Sequence, residues 1–381
     1  MVAVPRVSPA QAEEIALRFY GVSGAAERLA AEHDDTFRLG TPAGARLLKV
    51  SVADAGLQQP GGHPVSFQTA VLLHLAGVAP ELPVQRVEFT RDGAPEVLVP
   101  AGEGPARLVR MTSWLDGQLV GRGPVDTALR RDIGTTLARL NVALRGLRHP
   151  GARRTHLWDL QNFGLLRARL DELPGDGLLP EVAQALGAGP PPFPGGPRAA
   201  LEECLERFDA VVRPLLAATP KQVIHTDFHG DNLLAGGGRV TGILDFGDAL
   251  AGPVAMDVGV AACYQLGTGQ PSAGQPSAGQ FGTGPDTGAG LLAPALDVVA
   301  AYHAADPLGP ADLTLAAEFI VARVAARVIV SQYNAMREPA NRGYLLRRTP
   351  QAIAHLAALR LITPDEIARS LRAACGLPRG M

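Results

Sequence analysis

Residues 223–250 read VIHTDFHGDNLLAGGGRVTGILDFGDAL, and no other stretch of the chain is as restrictive. An apolar strand end, Val223-Ile224, gives way to a polar loop holding His225, Asp227, His229, Asp231 and Asn232. The apolar pair Leu233-Leu234 follows, then a glycine turn at Gly236–Gly238, then a second strand, Val240–Leu244, that ends in Asp245. Two apolar runs around a glycine turn predict a hairpin. It delivers Asp227 and Asn232 from one arm and Asp245 from the other. This β-rich island sits in a half of the chain whose apolar residues recur at helical spacing. The helical stretches are Val125–Leu144, Leu157–Leu170, Arg198–Leu216, Leu291–Ala305, Leu313–Met336 and Thr349–Ala373. A mainly helical body must therefore form around a short β insert.

The first 113 residues differ in pattern. Ser8-Pro9-Ala10-Gln11 has the form of a capping box with proline at the first helical position, opening a helix to about Tyr20 that Gly21 ends. Short β-type segments follow at Ala25–Ala30, Thr36–Leu39 and Arg46–Val52. Val65–Leu75 has helical spacing and ends at Gly77, after which Gln85–Phe89, Val97–Val99 and Arg107–Trp114 read as strands. Leu115-Asp116-Gly117 is a turn and a connection between two units. This predicts a small α+β unit over residues 1–113 and a larger helical one over 114–381. The stretch from Leu173 to Pro197 is rich in proline and glycine and is expected to loop over the surface. Residues 267–290 contain the repeat Gln270-Pro-Ser-Ala-Gly, Gln275-Pro-Ser-Ala-Gly, a low-complexity insertion whose composition cannot bury a core.

Composition removes several functional classes. A length of 381 residues suits two lobes, and 46% hydrophobic with 19% charged residues is ordinary for a globular protein. The net charge of −2 offers no basic field to nucleic acid or to an anionic membrane. No stretch reaches the roughly 18 apolar residues that span a bilayer, and the N-terminus lacks the pattern of a signal peptide. Cys204, Cys263 and Cys375 are far apart and without metal-ligand spacing, as expected of thiols in a reducing cytoplasm. Basic residues are nearly all arginine. The only lysines are Lys49 and Lys221, so a lysine inside the apolar run Leu47-Leu48-Lys49-Val50 needs its own explanation.

The residue types of the hairpin suit phosphoryl transfer, whose transition state needs positioning and charge neutralisation more than covalent help. One carboxylate, Asp227, would orient an acceptor hydroxyl and take its proton. Asn232 and Asp245 would supply the hard oxygen atoms that Mg²⁺ prefers. A metalloenzyme built on His225, Asp227 and His229 is the competing arrangement, and it predicts a tightly bound transition metal.

His225-Thr-Asp-Phe-His-Gly-Asp-Asn232 resembles the catalytic loop of aminoglycoside phosphotransferases and choline kinases, relatives of the protein kinases. Asp245-Phe246-Gly247 is similar to their metal-binding motif. Arg46-Leu-Leu-Lys-Val50, Leu108-Val-Arg-Met-Thr-Ser-Trp114, Leu157-Trp-Asp-Leu-Gln-Asn162 and Val240–Asp248 resemble segments of hydroxylysine kinase and its bacterial relatives. The resemblance implies a protein kinase-like two-lobed α+β fold, with a small β-rich N-lobe and a larger mainly helical C-lobe. It also implies ATP or GTP as co-substrate, with a lean toward GTP. Asp227 becomes the catalytic residue, Asn232 and Asp245 the magnesium ligands, His225 a structural anchor and Lys49 the grip on the α- and β-phosphates. Gln68 stands where the family's glutamate partner of the lysine is expected; its amide would orient Lys49 by hydrogen bond. The turn Glu32–Thr36 is acidic and has no glycine-rich pattern, so it acts through Thr36, backbone amides or a cation, or else faces solvent. Met111 to Trp114, including Ser113, is the expected hinge to the nucleotide base. Asp257 resembles the family's loop-bracing aspartate, and a helix N-cap is compatible with the same position.

The acceptor pocket is expected beneath Asp227. Asp248 would meet an ammonium group and Arg323 and Arg327 a carboxylate, or each would form a structural ion pair; Trp158 and Tyr333 would wall the pocket or belong to the core. An amino acid needs both charge signs, whereas an aminoglycoside needs several carboxylates. A hydroxy-amino acid such as 5-hydroxylysine is therefore favoured over an aminoglycoside or homoserine-type acceptor. A catalytically silent nucleotide-binding protein of the same fold is the alternative outside the enzymes.

Overall fold

The computed structural model describes residues 6–29, 34–52, 66–101, 104–186, 193, 195–267 and 287–378. Helix α1 (Pro9–Ile15) opens on the expected capping box of Ser8 and Gln11. A wider π turn, Ala16–Tyr20, continues it to Gly21. Strands β1 (Ala25–Leu29), β2 (Asp35–Gly40) and β3 (Arg46–Val52) precede helix α2 (Phe67–Val78). Strands β4 (Val87–Glu88), β5 (Val97–Ala101) and β6 (Gly104–Ser113) follow it. They form one antiparallel sheet in the order β1-β2-β3-β6-β4, with β5 also on β6.

Strand alternation gives this sheet two different faces. Phe37, Leu39, Leu48, Val50, Val109 and Met111 pack against Val7, Ala12, Ala16 and Tyr20 in a closed apolar layer. Thr36 pairs with Lys49, and Lys49 with Arg110, so these three polar residues form a row on the opposite face. Helix α2 belongs to neither layer. Its Phe67, Val71, Leu72 and Leu75 enter the large core shared with the helices that follow. It also runs through Gly77 to Val78 instead of stopping at the glycine. A glycine inside a helix costs only about 1 kcal/mol, which this burial offsets.

After Ser113 the chain passes through residues 114–117 to β7 (Gln118–Leu119), α3 (Thr127–Leu144), α4 (Arg167–Asp171), α5 (Pro180–Ala185), α6 (Gly196–Arg207) and α7 (Arg213–Ala218). The β insert comprises β8 (Gln222–Ile224), β9 (Leu233–Gly236), β10 (Arg239–Ile243) and β11 (Leu250–Gly252). Helices α8 (Val254–Cys263), α9 (Thr287–Ala305), α10 (Pro310–Arg337), α11 (Arg342–Leu346), α12 (Thr349–Leu359) and α13 (Pro364–Ala374) complete the body. Helix α10 is buried along most of its length and forms the body's axis. Helices α3 and α9 meet backbone to backbone: a Cβ on Gly134 would lie 2.1 Å from the Val298 carbonyl oxygen.

Several boundaries depart from the sequence pattern for local reasons. The expected helix Leu157–Leu170 is a 3-10 stretch, Leu160–Leu166, followed by α4, because Asn162 leaves helical dihedrals. The expected helix Thr349–Ala373 splits into α12 and α13, since Thr363 and Glu366 form a capping box with Pro364 at the first position. The hairpin is β9–β10, joined by β7, whereas Asp227 follows β8, which pairs with β11. Asp227 therefore comes from its own two-stranded ribbon and not from an arm of the hairpin. Residues 268–286 of the repeat region, residues 187–192 and 194 of the proline-rich stretch, and Ala30, Glu32, His33 and Val65 lie outside the described residues. Among the described residues no helix is long and apolar enough to cross a membrane.

Candidate active site

The loop between β8 and β9 is fixed from below. Asp257, in the first turn of α8, accepts the backbone N–H groups of His225 at 3.0 Å and Thr226 at 2.7 Å. Pro253 holds the N-cap position of that helix, so Asp257 serves the loop and not the helix end. Burial pushes its carboxyl above the usual range, against the pull of His225 and these two N–H groups. His225 accepts the Asp227 N–H on Nδ1 at 3.3 Å and donates from Nε2 to the Leu244 carbonyl at 2.9 Å. Its ring packs on Phe228 and Phe246. Gly230 is required because the loop touches Gly121: a Cβ there would lie 2.7 Å from the Gly121 nitrogen, whose N–H donates to the Gly230 carbonyl at 2.8 Å. Among the described residues only two that are not glycine have left-handed backbone, Thr226 (φ 66) and Asp245 (φ 51). Thr226 immediately precedes Asp227 and Asp245 is itself a candidate site residue, and strain of this kind clusters at such sites.

Asp257→Ala should strand two buried N–H groups, each worth about 1–3 kcal/mol. We expect a loss of about 2–5 kcal/mol in urea denaturation; a loss well under 1 kcal/mol would mean that other groups replace the brace.

Asp227 is the centre of a polar cluster. Asn232 Nδ2 donates to its Oδ2 at 2.7 Å and to its backbone carbonyl at 3.0 Å. His229 Nε2 lies 3.1 Å from the same Oδ2, and Arg323 Nη2 donates to Oδ1. Burial works to raise the carboxyl pKa, but His229 and Arg323 outweigh it and hold Asp227 far below the usual carboxylate range. The cations around it thus favour the charged form of Asp227.

Asp245 accepts the Gly247 N–H at 2.9 Å and the Lys49 ammonium at 3.3 Å. Burial tends to raise its pKa, and Lys49 with the Gly247 N–H brings it below the ordinary value. The Leu244 N–H donates to the Asn232 carbonyl at 2.8 Å, setting the ends of β9 and β10 side by side. Since the Asn232 amide nitrogen is committed to Asp227, its oxygen is the atom left for a cation, beside a carboxylate. That donor set fits Mg²⁺. It does not fit the competing transition-metal site. The ring nitrogens of His225 and His229 are engaged within the loop, and no three His, Cys, Asp or Glu side chains among the described residues could hold a metal ion.

Lys49 also meets Asp34 at 3.2 Å, so that part of the acidic turn faces the cleft. Asp35 is structural, bonded to the Val7 N–H and to Arg28. Gln68 does not orient Lys49: its Oε1 accepts from Arg110 Nη2, the guanidinium of the strand beside Lys49. At the expected hinge, the Met111 side chain is buried in the outer layer while its backbone lies between β3 and β4. Ser113 donates its N–H to the Arg86 carbonyl and accepts the Arg86 N–H on Oγ. The backbone not committed to the sheet begins at Trp114.

On the other side of Asp227, Arg323 is 1% exposed and lies between the rings of Trp158, at 4.7 Å, and Tyr264, at 5.4 Å. It donates to the Tyr264 hydroxyl at 3.1 Å, while its Nε and Nη1 are buried without a partner among the described residues. Arg327 lies over the same Tyr264 ring at 4.7 Å, and His229 stacks on it at 4.3 Å. The Asp248 carboxylate faces His156 Nδ1 at 3.9 Å; burial, then Asp227, pushes its pKa up. Tyr333 lies elsewhere, beside Arg169 and Arg337. Tyr264 and the orienting role of His229 were not legible in the sequence. Tyr264 follows an apolar helix and carries no motif.

A sheet with an inward lysine, set over a helical body that presents Asp227, Asn232 and Asp245, is the two-lobed kinase-like arrangement. A family model described as "Phosphotransferase enzyme family" matches residues 25–291, and the chain belongs to that family. Hydroxylysine kinase of Mus musculus is 22% identical over an alignment of 277 residues that covers 69% of this chain and 64% of that protein. The match thus spans less than two-thirds of that relative. Among solved structures, a microcompartment-associated aminopropanol kinase superposes with a TM-score of 0.58 at 18% identity, covering 96% of this chain and 98% of that one. A spectinomycin phosphotransferase in complex with ADP and spectinomycin gives 0.58 at 11% identity, covering 97% and 99%. At these identities the superpositions show the fold.

Proposed function

We propose that the protein transfers the γ-phosphate of ATP or GTP, with Mg²⁺, to the hydroxyl of a small hydroxy-amino acid such as 5-hydroxylysine. Residues 1–113 form the nucleotide lobe and 114–381 the catalytic and acceptor lobe. The observation that carries the acceptor class is Arg323, a buried cation with two unpartnered donors beside Asp227. Buried donors of this kind are costly unless a ligand engages them, and a carboxylate matches both their charge and their planar geometry. Asp248 gives the opposite charge for an ammonium group. An aminoglycoside, rich in amines, would meet arginine where it needs carboxylates. The likeness to hydroxylysine kinase supports the same class.

In this scheme Asp227 holds the acceptor hydroxyl in line and receives its proton, while Asn232 fixes the Asp227 side chain. Lys49 binds the phosphates. Asn232 and Asp245 would hold Mg²⁺, which when bound neutralises phosphate charge.

The test is a turnover panel of ATP and GTP against 5-hydroxylysine, homoserine, choline and aminoglycosides. We expect a carboxylate-bearing amino acid to exceed choline and the aminoglycosides in kcat/KM by about 10-fold or more, the order of one charge-assisted contact. A preference for choline or an aminoglycoside would sink the acceptor assignment. Nucleotide binding without turnover of any acceptor would favour the silent protein.

A further inference from the structure

Arg110 has no role in the scheme above, yet it is among the least accommodating residues of the molecule. It is 6% exposed on β6, across from Lys49 on β3, so both cations project from the same face. Its Nη2 donates to the neutral oxygen of Gln68, and among the described residues it forms no ion pair within 4.0 Å. Burial pushes its pKa down, with Asp34, Asp245 and Glu96 opposing at longer range. Each of those carboxylates is committed elsewhere. Asp34 and Asp245 hold Lys49, while Glu96 accepts the hydroxyls of Ser66 at 2.8 Å and Thr69 at 2.6 Å. A buried cation without an ionic partner is expensive to keep. Thr36, on the far side of Lys49 in β2, presents a second anomaly: its Oγ1 is buried and has no hydrogen-bond partner among the described residues.

We propose that Thr36, Lys49 and Arg110 form one anion-binding row across β2, β3 and β6, with Arg110 a second cation for the polyphosphate of the nucleotide. The inference rests on Lys49 being a nucleotide ligand. Two inter-strand gaps separate the ends of the row, roughly 10 Å, a span suited to linked phosphates and too wide for one. Gln68 fits this arrangement. A neutral amide holds the guanidinium in place without cancelling its charge, which a glutamate there would do.

The experiment is calorimetric titration of the full chain, in excess Mg²⁺, with ADP, AMP and adenosine and with GDP, GMP and guanosine. Wild type should bind the diphosphate of one base more tightly than its monophosphate. Arg110→Gln should cut affinity for that diphosphate about 10- to 100-fold, the scale of a lost charge-assisted hydrogen bond, and leave the nucleoside unaffected. Arg110→Lys should recover part of the loss. Gln68→Glu, which keeps Arg110 and neutralises it, should weaken the diphosphate several-fold even if Arg110→Gln proves unstable. Nucleoside and diphosphate weakened alike would mean that Arg110 only props α2, overturning the proposal. So would a diphosphate affinity changed less than twofold in Gln68→Glu. If wild type binds no nucleotide, the nucleotide site itself falls and takes the row with it, a result distinct from either variant outcome.

Discussion

Asp227→Asn should lower kcat by about 100- to 10,000-fold, the range lost when a positioned acid–base group is removed, while KM for the nucleotide stays close to wild type. Asparagine keeps the shape and can still accept from Asn232, but it removes the charge that aligns a hydroxyl. It also leaves Arg323 without its ionic partner on that side. Breaking a buried pair from one end typically costs about 3–5 kcal/mol, so folding must be checked by circular dichroism alongside the assay. The pH dependence has a definite sign. The folded pKa of Asp227 is depressed. Its stabilising contribution is therefore complete above the unfolded value of about 3.9 and is lost as pH falls below it toward the folded value. Wild-type activity should accordingly show no acid limb from Asp227 between about pH 5 and 8. Turnover unchanged in Asp227→Asn would remove this residue from the chemistry.

The second large effect is expected at Asp245, where the choice of variant matters. The residue has left-handed backbone, φ 51, which asparagine tolerates and alanine does not, at a cost of about 1–2 kcal/mol. Asp245→Asn is therefore the cleaner test. It retains a side-chain oxygen but loses the charge that Mg²⁺ and Lys49 both use. We expect kcat/KM to fall by at least about 1,000-fold, the scale of losing a charged group that acts on a transferring phosphoryl. The Mg²⁺ concentration needed for half-maximal rate should rise. Normal Mg²⁺ dependence in this variant would show that Asp245 is not a ligand.

What the sequence made legible follows from how local each signal is. The alternation in β3 places Lys49 opposite Leu48 and Val50 in face, and the strand has the expected bounds, Arg46–Val52. The short motif from His225 to Asn232 carries its own loop, and the hairpin after it carries Asp245. The pairing of Asp227 with Arg323 joins residues 96 positions apart, and nothing in either neighbourhood announces it. The same holds for Gln68, whose attachment to Arg110 depends on where β6 falls beside β3. Strands β8 and β11 are three residues each, too short for alternation to register, so the sequence pattern does not separate the ribbon that carries Asp227 from the hairpin. The split between α12 and α13 had a readable signal, Thr363-Pro364-Asp365-Glu366, obscured by apolar residues that continue in phase on both sides.

Helix α2 is rooted in the large helical core, while Lys49 and Arg110 ride on the sheet above it. Were the sheet to rock while α2 kept these core contacts, the bonds of Glu96 to Ser66 and Thr69 would have to yield. The same movement would part Arg110 from Gln68 and Lys49 from Asp245, so access to the cleft and dismantling of the charged seam become one event. Labels at the exposed Leu98 and Leu165 would register it as a single change in separation.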